Sequence, residues 1–247
     1  MLLIRWIRSV RLVMLRLKSK HRLLCGDSTR QDDVERLMAG KKAEMVFTDP
    51  PYGISYAGGT KKRNAIENDA IDVLPFYESF LSLGKSISAE GASIYIWHAS
   101  SETHNCIAAA INSGWLFKSY LIWIKNNSTF GRADYHWQHE PAFYGWASNG
   151  THRWNGDRKQ TTTWNIDRPI RSDDHPTMKP VELCEKGIIN SSRKDEIVYD
   201  PFLGSGSTLI ACEKTKRQCF GIEIDPHYCS VIINRWQEYT GQKAVLA

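Results

Sequence analysis

Apolar positions along the chain fall into two recurring patterns. Short runs rich in apolar, β-branched and aromatic residues occur at His21–Cys25, Glu44–Thr48, Ala92–Trp97, Leu116–Lys125, His139–Trp146, Glu196–Tyr199 and Gln218–Ile224. Their length and composition are those of strands. Helical stretches lie between most of them. One runs to about Ala39 from a cap at Ser28 or Thr29, and Leu74–Ser88 and Thr103–Asn112 are two more. Others end near Asn190 and Lys214, and the last runs from Pro226 to about Tyr239. Strands alternating with helices of about ten to fifteen residues predict βαβ units on a largely parallel sheet. Leu116–Lys125 and His139–Trp146 follow each other with no helix between, which predicts an antiparallel hairpin at one edge. Ala147–Asp174 shows neither pattern. The chain therefore divides into a basic segment, 1–20, and one α/β domain, 21–247, with an insert at 147–174.

Composition changes this picture little, but charge placement matters. The 247 residues suffice for one domain with an ample core, and the formal charge is +5. Met1–Leu24 holds seven basic side chains and no acidic one; removing those seven from 32 leaves 25 against 27 acidic. The basic character belongs mostly to that segment, so a nucleic-acid surface on the body must come from local patches. Apolar runs in Met1–Lys20 are too short for a membrane span, and charge interrupts any signal-peptide core. Six scattered cysteines without a C-x-x-C speak for reduced thiols in the cytoplasm, with no zinc site and no disulfide framework. His136 and His139 form the one close histidine pair and lack ligand partners at metal spacing, so no metal is expected.

Two stretches carry chemistry. Met45-Val46-Phe47-Thr48 runs into Asp49-Pro50-Pro51-Tyr52. Prolines stiffen the loop, lack N–H donors and leave carbonyls to accept. A carboxylate, rigid acceptors and a flat ring suit recognition of a planar group carrying an NH2. A strand-to-loop turn with an incidental Asp is the plain alternative. The second stretch follows Glu196–Tyr199 and reads Asp200-Pro201-Phe202-Leu203-Gly204-Ser205-Gly206-Ser207-Thr208. A glycine turn between strand and helix lets backbone approach a ligand, with helix N–H groups facing it. Glu223 ends the next strand, where a carboxylate can take both hydroxyls of a ribose. The loop lacks the third glycine of a dinucleotide fingerprint and the Gly-Lys-Ser/Thr of a P-loop, so an adenosine without polyphosphate fits better. Both stretches end strands of one parallel sheet, at the edge where open α/β sheets bind ligands.

Two further stretches have the charge for phosphates. Lys61-Lys62-Arg63 sits in a Gly- and Asn-rich loop just after Tyr52, and is either a solvated run or a phosphate contact. The 147–174 insert mixes Arg153, Arg158, Lys159, Arg168 and Arg171 with Trp154 and Trp164. It reads as a DNA contact, or as a long loop packed by its tryptophans.

Asp49-Pro-Pro-Tyr52 followed much later by Asp200-Pro-Phe-x-Gly-Ser-Gly-Ser-Thr208 resembles the amino-methylating DNA methyltransferases that use S-adenosylmethionine. The order matches their circularly permuted β group, which also places a His175-Pro-Thr-x-Lys-Pro180 stretch just before the cofactor loop. His21–Thr29 and Asp134–Pro141 are similar to phage and prophage methylases, so the likeness spans roughly Arg22 to Gly241. It implies a Rossmann-like methyltransferase fold with a mostly parallel seven-stranded sheet, an antiparallel edge hairpin and helices on both faces. The implied reaction is methyl transfer to N6 of a flipped-out adenine in DNA, with site-directed or relaxed specificity. Asp in place of Ser at the head of the motif favours adenine in this family. Asp49 and the Pro50 carbonyl would accept the two N6 hydrogens, beside Pro51, and Tyr52 would stack on the base. Cofactor contacts are implied for Asp27, Lys179, Asp200, Pro201, Phe202, Gly204, Ser205, Gly206, Ser207, Thr208, Glu223 and Asp225. Asp27 would lie near the adenine and Lys179 near the carboxylate, unless Lys179 is an ordinary cation at a helix start. N4-cytosine methylation and a catalytically silent DNA-binding module are the alternatives. Some members pair on DNA, so a homodimer is one state the resemblance allows.

Overall fold

The computed structural model describes residues 14–16, 20–51, 73–129, 134–168 and 178–246. Ten strands form one sheet: β1 (Met14–Arg16), β2 (Arg22–Cys25), β3 (Ala43–Thr48), β4 (Ser88–Trp97) and β5 (Trp115–Thr129) come first. β6 (Trp137–Ala147), β7 (Thr163–Asn165), β8 (Ile197–Asp200), β9 (Gln218–Glu223) and β10 (Val245–Leu246) follow. Their order across the sheet is β10-β1-β2-β9-β8-β3-β4-β6-β5-β7. The seven central strands, β2 through β5 in that order, correspond to the expected sheet. Three short strands at its margins make the count ten, not seven.

The β2, β9, β8, β3 and β4 neighbours pair in parallel, and β6 runs antiparallel to both β4 and β5. The hairpin is thus present but not at the margin. Thr163–Asn165 of the insert pairs with Ile122–Ile124 and covers the open side of β5. Buried Trp164 anchors that strand, and Trp123 Nε1 donates to Ile166 O at 2.7 Å. An edge strand needs a partner or cover, and the insert supplies it.

Helices α1 (Gln31–Met38), α2 (Val73–Ser86) and α3 (Thr103–Asn112) cover one face, while α4 (Val181–Ser191), α5 (Ser207–Thr215) and α6 (Pro226–Thr240) cover the other. The two-residue period of a strand separates the faces. Met45 and Phe47 pack with Tyr95, Trp97 and Val198 on the α4–α6 side. Val46 packs with Ile94, Ile96, Tyr199 and Ile222 on the α1–α3 side. Burial on both faces explains why these strands read as nearly continuous apolar runs.

Two element ends differ from the sequence reading. α1 begins after Arg30 rather than at Ser28 or Thr29, because Asp27 Oδ1 accepts from Thr29 N (2.9 Å) and Thr29 Oγ1 (2.7 Å) and tightens a turn first. α2 stops at Ser86, and β4 starts at Ser88, ahead of the expected Ala92. The pairing with β3 slips between Ala43↔Ser88 and Met45↔Ser93, so a bulge at Gly91 (φ +63°) interrupts the pattern there.

Candidate active site

Two parallel neighbours, β3 and β8, set the geometry, with Val46 opposite Tyr199. The chain leaves β8 through α5 toward β9 on one side, and leaves β3 through α2 toward β4 on the other. Connections diverging from adjacent strand ends open a crevice at the carboxyl edge. Asp49-Pro50-Pro51 closes β3 there, and Asp200-Pro201-Phe202 closes β8 beside it.

The glycine loop is held through its backbone groups, by two carboxylates, the neighbouring strand and an arginine. Phe202 N donates to Asp200 Oδ1 (3.0 Å), Leu203 N to Ile222 O (2.9 Å) and Gly204 N to Glu223 Oε2 (2.8 Å). Gly206 has φ +82°, and a Cβ there would sit 3.2 Å from Ile232 carbons. Any L side chain would be strained at that position. Gly206 is the N-cap of α5 and provides no side-chain acceptor, so the first turn presents its N–H groups to the crevice. Arg235 Nη1 donates to Ser205 O at 3.0 Å and clamps the loop from α6. The Phe202 ring turns away to pack against Phe76 and Phe80 of α2.

Carboxylates line the rim of this loop. Burial pushes Asp200 up to about 7, against the hydrogen bonds from Thr208 and Phe202 N and with help from the charge of Asp49. Burial likewise takes Glu223 up to about 7, although the N–H groups of Asp225 and Gly204 donate to it. Asp27 lies on the adjoining strand end, where Gly26 N donates to Glu223 O at 3.1 Å. Asp225 is engaged as the N-cap of α6, accepting from His227 N at 2.7 Å. An acidic, lysine-free glycine loop suits a cationic nucleoside and not a polyphosphate, because a nearby positive charge favours the ionised form of both raised carboxylates.

Lys179 joins the two motifs. Its carbonyl accepts from Ser207 Oγ at 2.7 Å on the cofactor-loop side. Its ammonium lies 2.9 Å from Asp49 Oδ2 and also pairs with Glu140 Oε2. That ammonium, expected near a cofactor carboxylate, is thus directed to protein carboxylates. Glu140 Oε1 in turn lies 2.5 Å from Lys125 Nζ. Burial works against the charged forms of both Lys179 and Glu140. Asp49 and Glu140 nonetheless hold Lys179 above its ordinary range, and Lys179 and Lys125 hold Glu140 down to about 2. Trp97 and Trp123 flank the ammonium, each centroid 5.9 Å away. Burial also lowers His98, the next residue along the rim, to about 4.

The sequence reading missed Lys125, Glu140 and His98. The signal for Glu140 was a lone charge within an apolar strand run, and for Lys125 a charge closing one, in strands whose register puts Glu140 opposite Trp123.

The basic residues assigned to DNA separate in space. Arg153 pairs with Glu196 Oε1 at 2.9 Å, just before β8 begins and so at the edge opposite Asp49. Arg158 and Lys159 are exposed on the same stretch, which Gln160 ties to Asn190 at the far end of α4. Arg168 does reach the catalytic rim, its N–H donating to Asn126 Oδ1 at 3.1 Å. Tyr52, Lys61, Lys62, Arg63, Arg171 and His175–Thr177 lie outside the described residues. Among the described residues no group of His, Cys, Asp or Glu is arranged to hold a metal ion, and no helix is long and apolar enough to cross a membrane.

The fold is that of solved S-adenosylmethionine-dependent DNA methyltransferases. The solved M1.HpyAVI–SAM complex superposes with a TM-score of 0.65 at 20% identity, over 85% of this chain and 96% of that one. PvuII DNA methyltransferase (cytosine-N4-specific) gives 0.68 at 16% identity, over 87% and 85%. The N6/N4 DNA methylase family model matches residues 43–235, and the chain belongs to that family. Type II methyltransferase M2.MboI of Moraxella bovis is 24% identical over 225 residues, covering 80% of this chain and 81% of that protein.

Proposed function

We propose that this DNA methylase transfers a methyl group from S-adenosylmethionine to N6 of adenine in DNA, on a base turned out of the helix. The observation that carries the reading is a carboxylate, Asp49, held at a strand end next to a glycine loop and tied to that loop through Lys179. When bound, S-adenosylmethionine supplies a methyl group activated on a sulfonium. Glu223 and Asp27 are suited to its ribose and adenine, and Asp200 with the Gly204–Thr208 turn to its methionine part.

An exocyclic amine is a poor nucleophile because its lone pair is delocalised into the ring. Asp49 and the Pro50 carbonyl accept its two hydrogens and turn the nitrogen toward tetrahedral geometry. The lone pair so exposed would be available to the methyl group that bound S-adenosylmethionine would supply, and one N6 proton would be released as the amine returns to neutrality. Asp49 stabilises the positive charge that develops on nitrogen, and a hydrogen bond to such a charged acceptor contributes about 1.5–3 kcal/mol. Tyr52, next after Pro51, is assigned to stacking on the base, a contact contributing about 1–3 kcal/mol. A base inside a duplex is out of reach, so the target is extruded.

DNA is assigned to the rim. There the β5–β6 hairpin extends past the last residue of β4, with Tyr135 89% and Trp137 51% exposed. Arg168 lies on that side, and Lys61–Arg63 follow the catalytic motif in sequence. The acidic head of the motif supports adenine over cytosine. Digestion of treated DNA to nucleosides and mass spectrometry tests this: N6-methyladenine is expected, and N4-methylcytosine in its place would reassign the base. Absence of any methylated nucleoside would point to a silent DNA-binding module.

A further inference from the structure

Four charges of alternating sign run inward from the catalytic strand end. Asp49 pairs with Lys179 at 2.9 Å, Lys179 with Glu140, and Glu140 with Lys125 at 2.5 Å. They come from the end of β3, the lead into α4, the start of β6 and the middle of β5, so no local feature of the chain brings them together. The side chains of Lys125, Lys179 and Glu140 are 7%, 11% and 23% exposed. Fully ionised, the four sum to zero. Deleting one member of such a buried set leaves a charge uncompensated, which is costly.

We propose that Glu140, backed by Lys125, is a positioning residue for methyl transfer. The inference rests on Asp49 being the acceptor of the target amine. Lys179 alone beside Asp49 would fix that carboxylate and cancel most of its charge. Placed between two carboxylates, Lys179 still fixes Asp49, but its own charge is shared with Glu140. Asp49 therefore keeps negative potential for a nitrogen that becomes cationic only as the reaction proceeds. Lys125 holds the other oxygen of Glu140 and stops it from swinging away. An interaction that strengthens as charge develops acts on turnover more than on binding.

Glu140→Gln keeps the shape and leaves the cluster one positive charge in excess. Its kcat is expected to fall about tenfold or more, the effect of one charged hydrogen bond, with KM for DNA within about threefold of wild type. Adding Lys125→Met restores neutrality, and the double variant is expected to recover at least about threefold in kcat over Glu140→Gln alone. A purely structural anchor would show no such recovery, since the second change removes one more contact. Turnover is referred to the fraction of protein that binds S-adenosylmethionine by calorimetry, so partial unfolding is divided out. A wild-type kcat in Glu140→Gln, or a double variant no faster than the single one, overturns the proposal. If Glu140→Gln does not fold, the double variant decides alone: Lys179 is then left to Asp49, so a kcat lowered about threefold or more at unchanged KM for DNA supports the proposal, and a wild-type kcat overturns it. Asp49→Asn run alongside separates the two levels of the argument. Near-wild-type turnover there overturns the acceptor reading itself, whereas an inactive Asp49→Asn beside an unaffected Glu140→Gln overturns this inference only.

Discussion

The two edges of the sheet treat charge differently: buried carboxylates gather at one and not at the other. At the carboxyl edge, Lys179, Glu140 and Lys125 are drawn into the protein and paired there, and Asp200 and Glu223 are 3% and 8% exposed. At the amino edge Lys20 and Asp195 are mostly exposed and Arg153 with Glu196 is partly buried, while buried Arg22 donates to the Leu37 and Met38 carbonyls and buried His21 lies 3.0 Å from Glu213 Oε2. Exposed pairs contribute little to stability, and buried ones must overcome a desolvation cost that apolar residues would not incur. Five ionisable side chains gathered at one rim, at that cost, favour it as the part of the molecule that acts on a ligand. A hollow of about 360 Å³ lies against the α4 side of the sheet, walled by Tyr95, Tyr144, Trp154 and Trp164, with Asp157 and Arg158 also in its lining.

The largest effect that would test the contrast is at Asp49. Asp49→Ala is expected to abolish methyl transfer to DNA while leaving S-adenosylmethionine affinity within a few-fold of wild type, as measured by a tritium-transfer assay and calorimetry. Substantial residual transfer would remove Asp49 from its role. Next is Glu223→Ala, which deletes a carboxylate that holds Gly204 N at 2.8 Å and is assigned to the ribose by the proposed function. Cofactor affinity should drop about tenfold or more, since one hydrogen bond to a charged group is worth that much. An unchanged dissociation constant would take Glu223 out of the site.

A smaller effect separates the edges as DNA surfaces. Trp137 stands exposed on the hairpin at the carboxyl rim, while Arg158 and Lys159 are exposed on the stretch at the amino edge. Trp137→Ala should raise KM for DNA about fivefold, the low end of a lost base stack. The Arg158→Ala/Lys159→Ala pair should change it by less than about twofold, as the remote edge does not meet the substrate. The opposite ranking would return the DNA surface to the insert.

Much of this was legible in the sequence, and what was not has a physical reason. Strands β3, β8 and β9 were visible because burial on both faces makes them continuous apolar runs ending in Asp49, Asp200 and Glu223. The basic insert was only partly legible because composition carries no address: Arg153 satisfies Glu196 across 43 residues, Trp164 closes a sheet edge, and Arg168 lies at the carboxyl rim. The Lys125–Glu140–Lys179–Asp49 set was hidden for the same reason. Each member looks like an isolated charge until the sheet register and the entry to α4 put them side by side. Ten strands in place of seven came from pairings two to three residues long at the margins, too short to leave a periodic signal.

The smallest predicted effect is the pH response of the cofactor rim. Asp200 and Glu223 titrate near 7 in the folded protein, raised chiefly by burial, whereas unfolding returns both to the ordinary carboxylate range. A raised acid is stabilising while it stays protonated, and that contribution is lost as pH rises from the ordinary range through about 7. The ligand-free protein should therefore melt a few degrees lower at pH 8 than at pH 5.5. A sulfonium beside the two carboxylates favours their ionised forms, so the shift in melting temperature caused by S-adenosylmethionine should grow over the same interval. Glu223→Gln removes one of the two titrations and should flatten both trends. A ligand-induced shift that shrinks between pH 6 and pH 8 would mean that the carboxylates do not face the cation, and the contrast between the two edges would lose its electrostatic basis.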